Sequence, residues 1–179
     1  RDTSGVVLFT KREEANKGIG DLFQKHNIRK VYQALTLRLP QAKLEFDTSS
    51  NISIRSYIKR ISGANEPGRF GSVTSGGDSA ETLVRLQDSL KHSAYWLQAE
   101  PQTGRTHQIR VHLSENGYPI LGDQVYFPKD VMSMASVPRL MLHSNLLEFE
   151  HPMTKEIVKI EAPLAPDFFQ ALTELGGEI

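Results

Sequence analysis

The sequence contains no cysteine. Disulfides, zinc ribbons and thiol catalysis are excluded, and a reducing, cytoplasmic setting is the expectation. No run of 18 apolar residues occurs, so neither a bilayer-crossing helix nor a membrane partner is expected. Net charge is also missing, since 21 Lys and Arg offset 21 Asp and Glu. That balance argues against an indiscriminate polyanion binder. Internal repeats and linkers are absent. With 13 Gly and 9 Pro the chain is neither collagen-like nor disordered. What is present is ordinary: 179 residues, 39% hydrophobic and 23% charged, the size of one domain spanning residues 1–179. A chain of this length buries about 70% of its unfolded surface, enough for a core without staples.

The charge is unevenly distributed. Residues 1–60 carry 12 Lys/Arg against 6 Asp/Glu, and residues 61–179 carry 9 against 15. A polyanion would meet a dipolar molecule if the fold gathers the basic residues; otherwise they are scattered surface lysines and arginines. Neither an initiator Met nor a signal peptide opens the chain. Arg1-Asp2-Thr3-Ser4-Gly5 leads directly into Val6-Val7-Leu8-Phe9, which predicts a buried strand over 5–10 belonging to a longer protein.

Periodicity predicts a helix over 12–26, with Ala15, Ile19, Leu22 and Phe23 as one apolar stripe. Strands are expected at 29–39 and 51–61, a loop at 63–79 around a short extended piece, and a hairpin from 80–87 and 94–100. Further strands are expected at 140–150 and 156–161, then a helix over 166–175 with Pro166 in its first turn. The fold class is α+β: a mostly antiparallel or mixed β-sheet with a few flanking helices.

Residues 101–123 are the unusual stretch. Between Gln102 and His112 lie two arginines, two histidines, two glutamines and two threonines, a cluster that is costly to bury without partners. Ile109, Val111 and Leu113 alternate as a strand would. The preferred reading is a helix capped by Thr106 and closed at Asn116-Gly117. Arg105 and Arg110 suit phosphates or a carboxylate. His107 and Gln108 can donate and accept to sugars and base edges. A metal site is disfavoured: His107 and His112 are five apart and face different ways, and His143 supplies no recognised spacing. Tyr32 is either a core tyrosine with its hydroxyl at the edge or an aromatic platform for a flipped base.

The segment Thr103-Gly104-Arg105-Thr106-His107-Gln108-Ile109-Arg110-Val111-His112-Leu113, followed by Gly117-Tyr118-Pro119-Ile120-Leu121-Gly122-Asp123 and Tyr126, resembles the signature of RluA-type pseudouridine synthases. Arg139-Leu140-Met141-Leu142-His143, with Phe149 and Pro152, resembles that family's later strand motif. Lys30-Val31-Tyr32 resembles its Lys-x-Tyr motif, and Thr3-Ser4-Gly5 the tail of its first. Residues 41–93 carry no matching motif. The resemblance implies the pseudouridine synthase fold and isomerisation of uridine in structured RNA, either tRNA or rRNA, by base flipping, glycosidic cleavage and re-attachment through C5. It implies neither a metal nor an organic cofactor; a monomer is expected. Tyr32 corresponds to the active-site tyrosine that stacks on the uracil. Arg110 corresponds to the basic residue that pairs with a catalytic Asp. Lys30, Arg105, His107 and Gln108 are the RNA-contact candidates.

The family's first motif runs His-Arg-Leu-Asp, two variable residues, then Thr-Ser-Gly. Arg1 and Asp2 fill the variable places here, so the catalytic Asp is expected immediately before Arg1. Asp2 is a poor substitute, because a two-residue shift displaces a carboxylate by about 6–7 Å. The chain alone is therefore expected to be inactive. The alternative is a catalytically dead RNA-binding module of the same fold. The synthase reading requires Tyr32 and Arg110, 78 positions apart, to converge on one cavity.

Overall fold

The computed structural model describes residues 2–63, 68–131 and 137–178. It contains strands β1 (Ser4–Gly5), β2 (Arg29–Leu37), β3 (Ile52–Arg60), β4 (Phe70–Val73), β5 (Asp78–Ser89), β6 (Ala94–Pro101), β7 (Leu142–Glu150) and β8 (Ile157–Glu161). The helices are α1 (Glu13–Gln24), α2 (Gln108–Glu115) and α3 (Pro166–Glu174). All eight strands form one sheet in the order β1-β7-β2-β6-β5-β3-β4, with β8 also on β7. Every pairing is antiparallel except β1 with β7. The α+β expectation with a mixed, mostly antiparallel sheet describes this architecture.

The expected strand over 5–10 shrinks to two residues. Ser4 and Gly5 pair with His143 and Ser144 of β7, and β8 occupies that edge of β7 from Leu146 onward. The chain beyond Gly5 has no free ladder to join, and Val7 and Phe9 are left exposed. Gly5 is needed where it stands: its φ is +107°, and a Cβ there would lie 2.1 Å from the Ser144 carbonyl oxygen. The extended piece expected within 63–79 is β4, while residues 64–67 of that loop lie outside the described residues.

The main core lies between the sheet, α2 and α3. Leu35 (β2), Leu97 (β6), Leu113 (α2), Met141, Phe168 and Leu172 (α3) are fully buried there. Ile19 and Leu22 of α1 pack against a smaller cluster built on Ile28, Leu147 and Phe149. Phe23, read as part of the same stripe, turns instead toward a cavity and stays partly exposed.

Helix α2 exists as preferred over a strand, with a different start. Thr106 is not its cap; His107 occupies that place in the left-handed region, φ 58°, without a side-chain cap bond. The first turn is braced by Gln108, whose Oε1 accepts from the Arg105 backbone N–H at 3.0 Å and from Thr103 Oγ1 at 2.7 Å. The end follows the Asn-Gly signal. Tyr118 N–H returns to Leu113 O and Gly117 N–H to Ser114 O, with Gly117 at φ +87°, a Schellman closure.

Candidate active site

Lys30 and Tyr32, two apart on β2, project to one face of the sheet. Opposite them the β2–β7 register slips by one residue between Val31 and Tyr32, a bulge of the kind found beside functional sites. Ser144 of β7 sits there across from Tyr32. The loop after β6 then carries Thr103–Arg105 over this face, and α2 begins above it. These elements enclose a cavity of about 520 Å³, lined among others by Lys30, Tyr32, Arg105, His107, Gln108 and Arg110. All six residues singled out from the sequence thus meet in one place. Asp2, Thr3 and Ser4 line it from the chain start, and Phe23 from α1. Arg1 lies outside the described residues.

Each side chain is held differently. Burial pushes the Tyr32 phenol above its ordinary value, opposed by its hydrogen bond with Ser144, so a neutral hydroxyl faces the cavity at physiological pH. Lys30 is almost wholly buried, with no hydrogen bond or ion pair seen for it among the described residues. Burial draws its ammonium below the usual lysine value. Arg105 is tied by Nε to the Ser79 carbonyl at 2.9 Å, leaving the outer guanidinium nitrogens for a ligand.

Gln108 is corrected from RNA contact to brace. Its Nε2 donates to Glu81 O at 2.8 Å and Thr82 Oγ1 at 2.9 Å, and its Oε1 is already committed to Thr103 and Arg105. No hydrogen-bonding capacity remains for a ligand.

Arg110 is where the structure adds most. Its Nε and Nη2 donate side-on to Asp123 Oδ2 and Oδ1, both at 2.7 Å. The Asp123 side chain is 0% exposed. Asp123 Oδ1 also accepts from the Val125 and Tyr126 backbone N–H groups at 2.9 and 3.0 Å. The same carboxylate thus builds the turn at 123–126 and grips the arginine. Below the guanidinium lies the Tyr126 ring, 4.9 Å from Arg110 Cζ. Arg110 is therefore fixed without a ligand, and its Nη1 has no partner seen among the described residues. The signal for Asp123 was an inward-facing arginine needing a nearby buried anion.

Of the other histidines weighed as metal ligands, His112 and His143 are both structural. His112 places Nδ1 at 2.9 Å from Thr82 Oγ1 and Nε2 at 3.0 Å from Ser56 Oγ, and burial lowers its pKa to about 4. His143 is a buried histidine of β7, with Nδ1 2.8 Å from Ser4 Oγ. Among the described residues, no three metal-binding side chains come together.

Comparison with known proteins accords with this geometry. The family model for RNA pseudouridylate synthase matches residues 1–115. The chain belongs to the RNA pseudouridylate synthase family. A relative from Chloroflexus aurantiacus, named as an uncharacterized RNA pseudouridine synthase, is 33% identical over 98% of this chain and 51% of its own length. Ribosomal large subunit pseudouridine synthase C of Yersinia pestis is 34% identical over 92% of the chain and 49% of its own length. The Escherichia coli protein of the same name is 31% identical over 98% and 54%. The chain spans about half the length of the curated relatives it matches. Among solved structures, human RNA pseudouridylate synthase domain containing 1 superposes with a TM-score of 0.70 at 24% identity, covering 90% of this chain and 65% of that one. That likeness is one of fold. The matched span supplies most of the cavity lining, with Leu140, Leu142 and Ser144 coming from beyond it.

Proposed function

We propose that the full-length protein isomerises a uridine of structured RNA to pseudouridine in this cavity. The observation that carries the reading is the meeting of the neutral Tyr32 hydroxyl with a preset Arg110 across a cavity of nucleotide size. A flipped uracil stacks on Tyr32, at a cost of a few kcal/mol for leaving its helix. The carboxylate that attacks or deprotonates the sugar comes from the residue preceding Arg1. The free Nη1 end of Arg110 keeps that carboxylate ionised. Lys30 and Arg105 take backbone phosphates. Names of the relatives favour large-subunit rRNA over tRNA as substrate.

The test is tritium release from [5-³H]uridine-labelled RNA by the full-length protein, with 23S rRNA fragments and bulk tRNA as separate substrates. Release from the rRNA is expected. Substituting the residue before Arg1 abolishes it, whereas Asp2→Asn leaves it within a few-fold. No release from any RNA would overturn the reading in favour of a binding module.

A further inference from the structure

His107 sits at the cavity wall in a setting the proposed chemistry does not use. The Phe70 backbone N–H, at the start of β4, donates to Tyr126 Oη at 2.9 Å. Tyr126 Oη lies 2.9 Å from His107 Nδ1. Tyr126 is only 8% exposed, so its hydroxyl proton must find an acceptor. Phe70 N–H occupies one side of that oxygen as donor and cannot receive it. The proton therefore goes to His107 Nδ1, which must be bare to accept it. A neutral imidazole with a bare Nδ1 carries its hydrogen on Nε2. Burial, with Arg110 nearby, holds His107 below the ordinary histidine value, Asp123 acting the other way. For Nε2 no partner is seen among the described residues, nor is any side-chain nitrogen or oxygen there both buried and unpaired. Nε2 thus opens on the cavity. The ring is clamped edge-to-face by Phe70 at 5.5 Å and Tyr126 at 5.6 Å.

Resting on the RNA-isomerase reading, we propose that the Phe70–Tyr126 relay locks His107 as an Nε2–H donor that reads the uracil O4 carbonyl. Two cations, Lys30 and Arg105, already line the cavity for phosphates. An uncharged donor between two aromatic rings matches instead an uncharged acceptor on a base. Uracil presents a carbonyl at C4, whereas cytosine presents an amino group, a second donor that would face Nε2–H. His107 then acts as a specificity-determining residue and Tyr126 as a positioning residue behind it. The lock also ties base reading to the β3–β4 hairpin, because its first donor is the backbone of Phe70.

Histidine-selective ¹⁵N labelling of the full-length protein tests this without catalysis. Long-range ¹H–¹⁵N spectra at neutral pH should show His107 with Nδ1 bare and Nε2 protonated. Tyr126→Phe should redistribute the proton toward Nδ1. Titration with uridine 5′-monophosphate should shift Nε2–H, while cytidine 5′-monophosphate should not. Affinity should favour the uridine nucleotide about fivefold, the factor one neutral hydrogen bond supplies. His107→Asn tolerates the left-handed backbone but stops short of the Nε2 position, and should erase that preference; His107→Gln should restore part of it. A bare Nε2, a doubly protonated ring, or equal responses to the two nucleotides, none included, overturns the proposal. Tritium release bears only on the isomerase reading, so the two fail separately.

Discussion

At the residue scale the site depends on one guanidinium. Side-on contact with Asp123 requires two parallel N–H groups, which lysine lacks. In the full-length protein, Arg110→Ala is expected to abolish tritium release while RNA affinity changes by no more than a few-fold. Arg110→Lys should not rescue it; recovery to near the wild-type rate would refute the assigned role. Asp123→Asn keeps an oxygen for the Val125 and Tyr126 amides but removes the anion. Breaking a buried ion pair costs about 3–5 kcal/mol. Because Arg110 opens partly on the cavity, about 2 kcal/mol is expected here, read from urea midpoints at constant slope. For Tyr32, Phe keeps the stacking face and Leu removes it. Turnover lost equally in both assigns the hydroxyl to chemistry; turnover lost only in Leu leaves it a platform.

At the scale of elements, α2 is held by a glycine at its C-terminal end and by a buried histidine along its length. Its C-terminal Gly117 stands at φ +87°, and a Cβ would fall 2.5 Å from Ala42 Cα. Gly117→Ala should therefore cost about 2 kcal/mol in chemical denaturation. His112 ties α2 to Thr82 of β5 and Ser56 of β3. Unfolded, it binds a proton near the ordinary value of about 6.5; folded, only near about 4. The folded state thus binds fewer protons in that window. Its contribution is complete above pH ~6.5 and is lost progressively as pH falls toward ~4, about 3 kcal/mol in all. His112→Gln should flatten the acid limb of stability against pH by that order. An unchanged slope would show that His112 is not the group responsible.

At the scale of the whole molecule, three of the twelve basic residues within the first 60 pair with carboxylates among the described residues. Arg29 lies against Glu100 and Glu148, Arg55 against Glu81, and Arg38 against Glu45. Three of those four acids come from the acidic remainder, so folding cancels part of the asymmetry locally. The cavity cations are drawn from both parts: Lys30 from one, Arg105 and Arg110 from the other. Two phosphate contacts to single-stranded RNA, from Lys30 and Arg105, give a log–log salt slope of about −1.4, so raising salt from ~50 to ~200 mM should weaken binding by about sevenfold. Lys30→Gln and Arg105→Gln should each reduce that slope by about 0.7. A slope unchanged by either variant would remove that residue from the RNA interface.

Local chemistry legible along the chain was enough to specify most elements and the identity of the cavity residues. Periodicity placed β2, β3, β5, β6, β7 and α3, because an alternating or helical apolar face reports its own burial. Asn116-Gly117 marked where α2 ends, since few residues other than glycine adopt its backbone angle. The motif around Thr103–Leu113 named Arg110 before any neighbour was known. Tertiary structure decided what pairwise distance decides. Gln108 became a brace because Glu81 and Thr82 reach it across the sheet, and Asp123 became the holder of Arg110. Val7 and Phe9 stayed outside because β8, more than 140 positions later, already occupied the edge they would have joined. Such outcomes depend on which partner arrives at a shared edge or a shared charge, and a one-dimensional pattern carries no record of that competition.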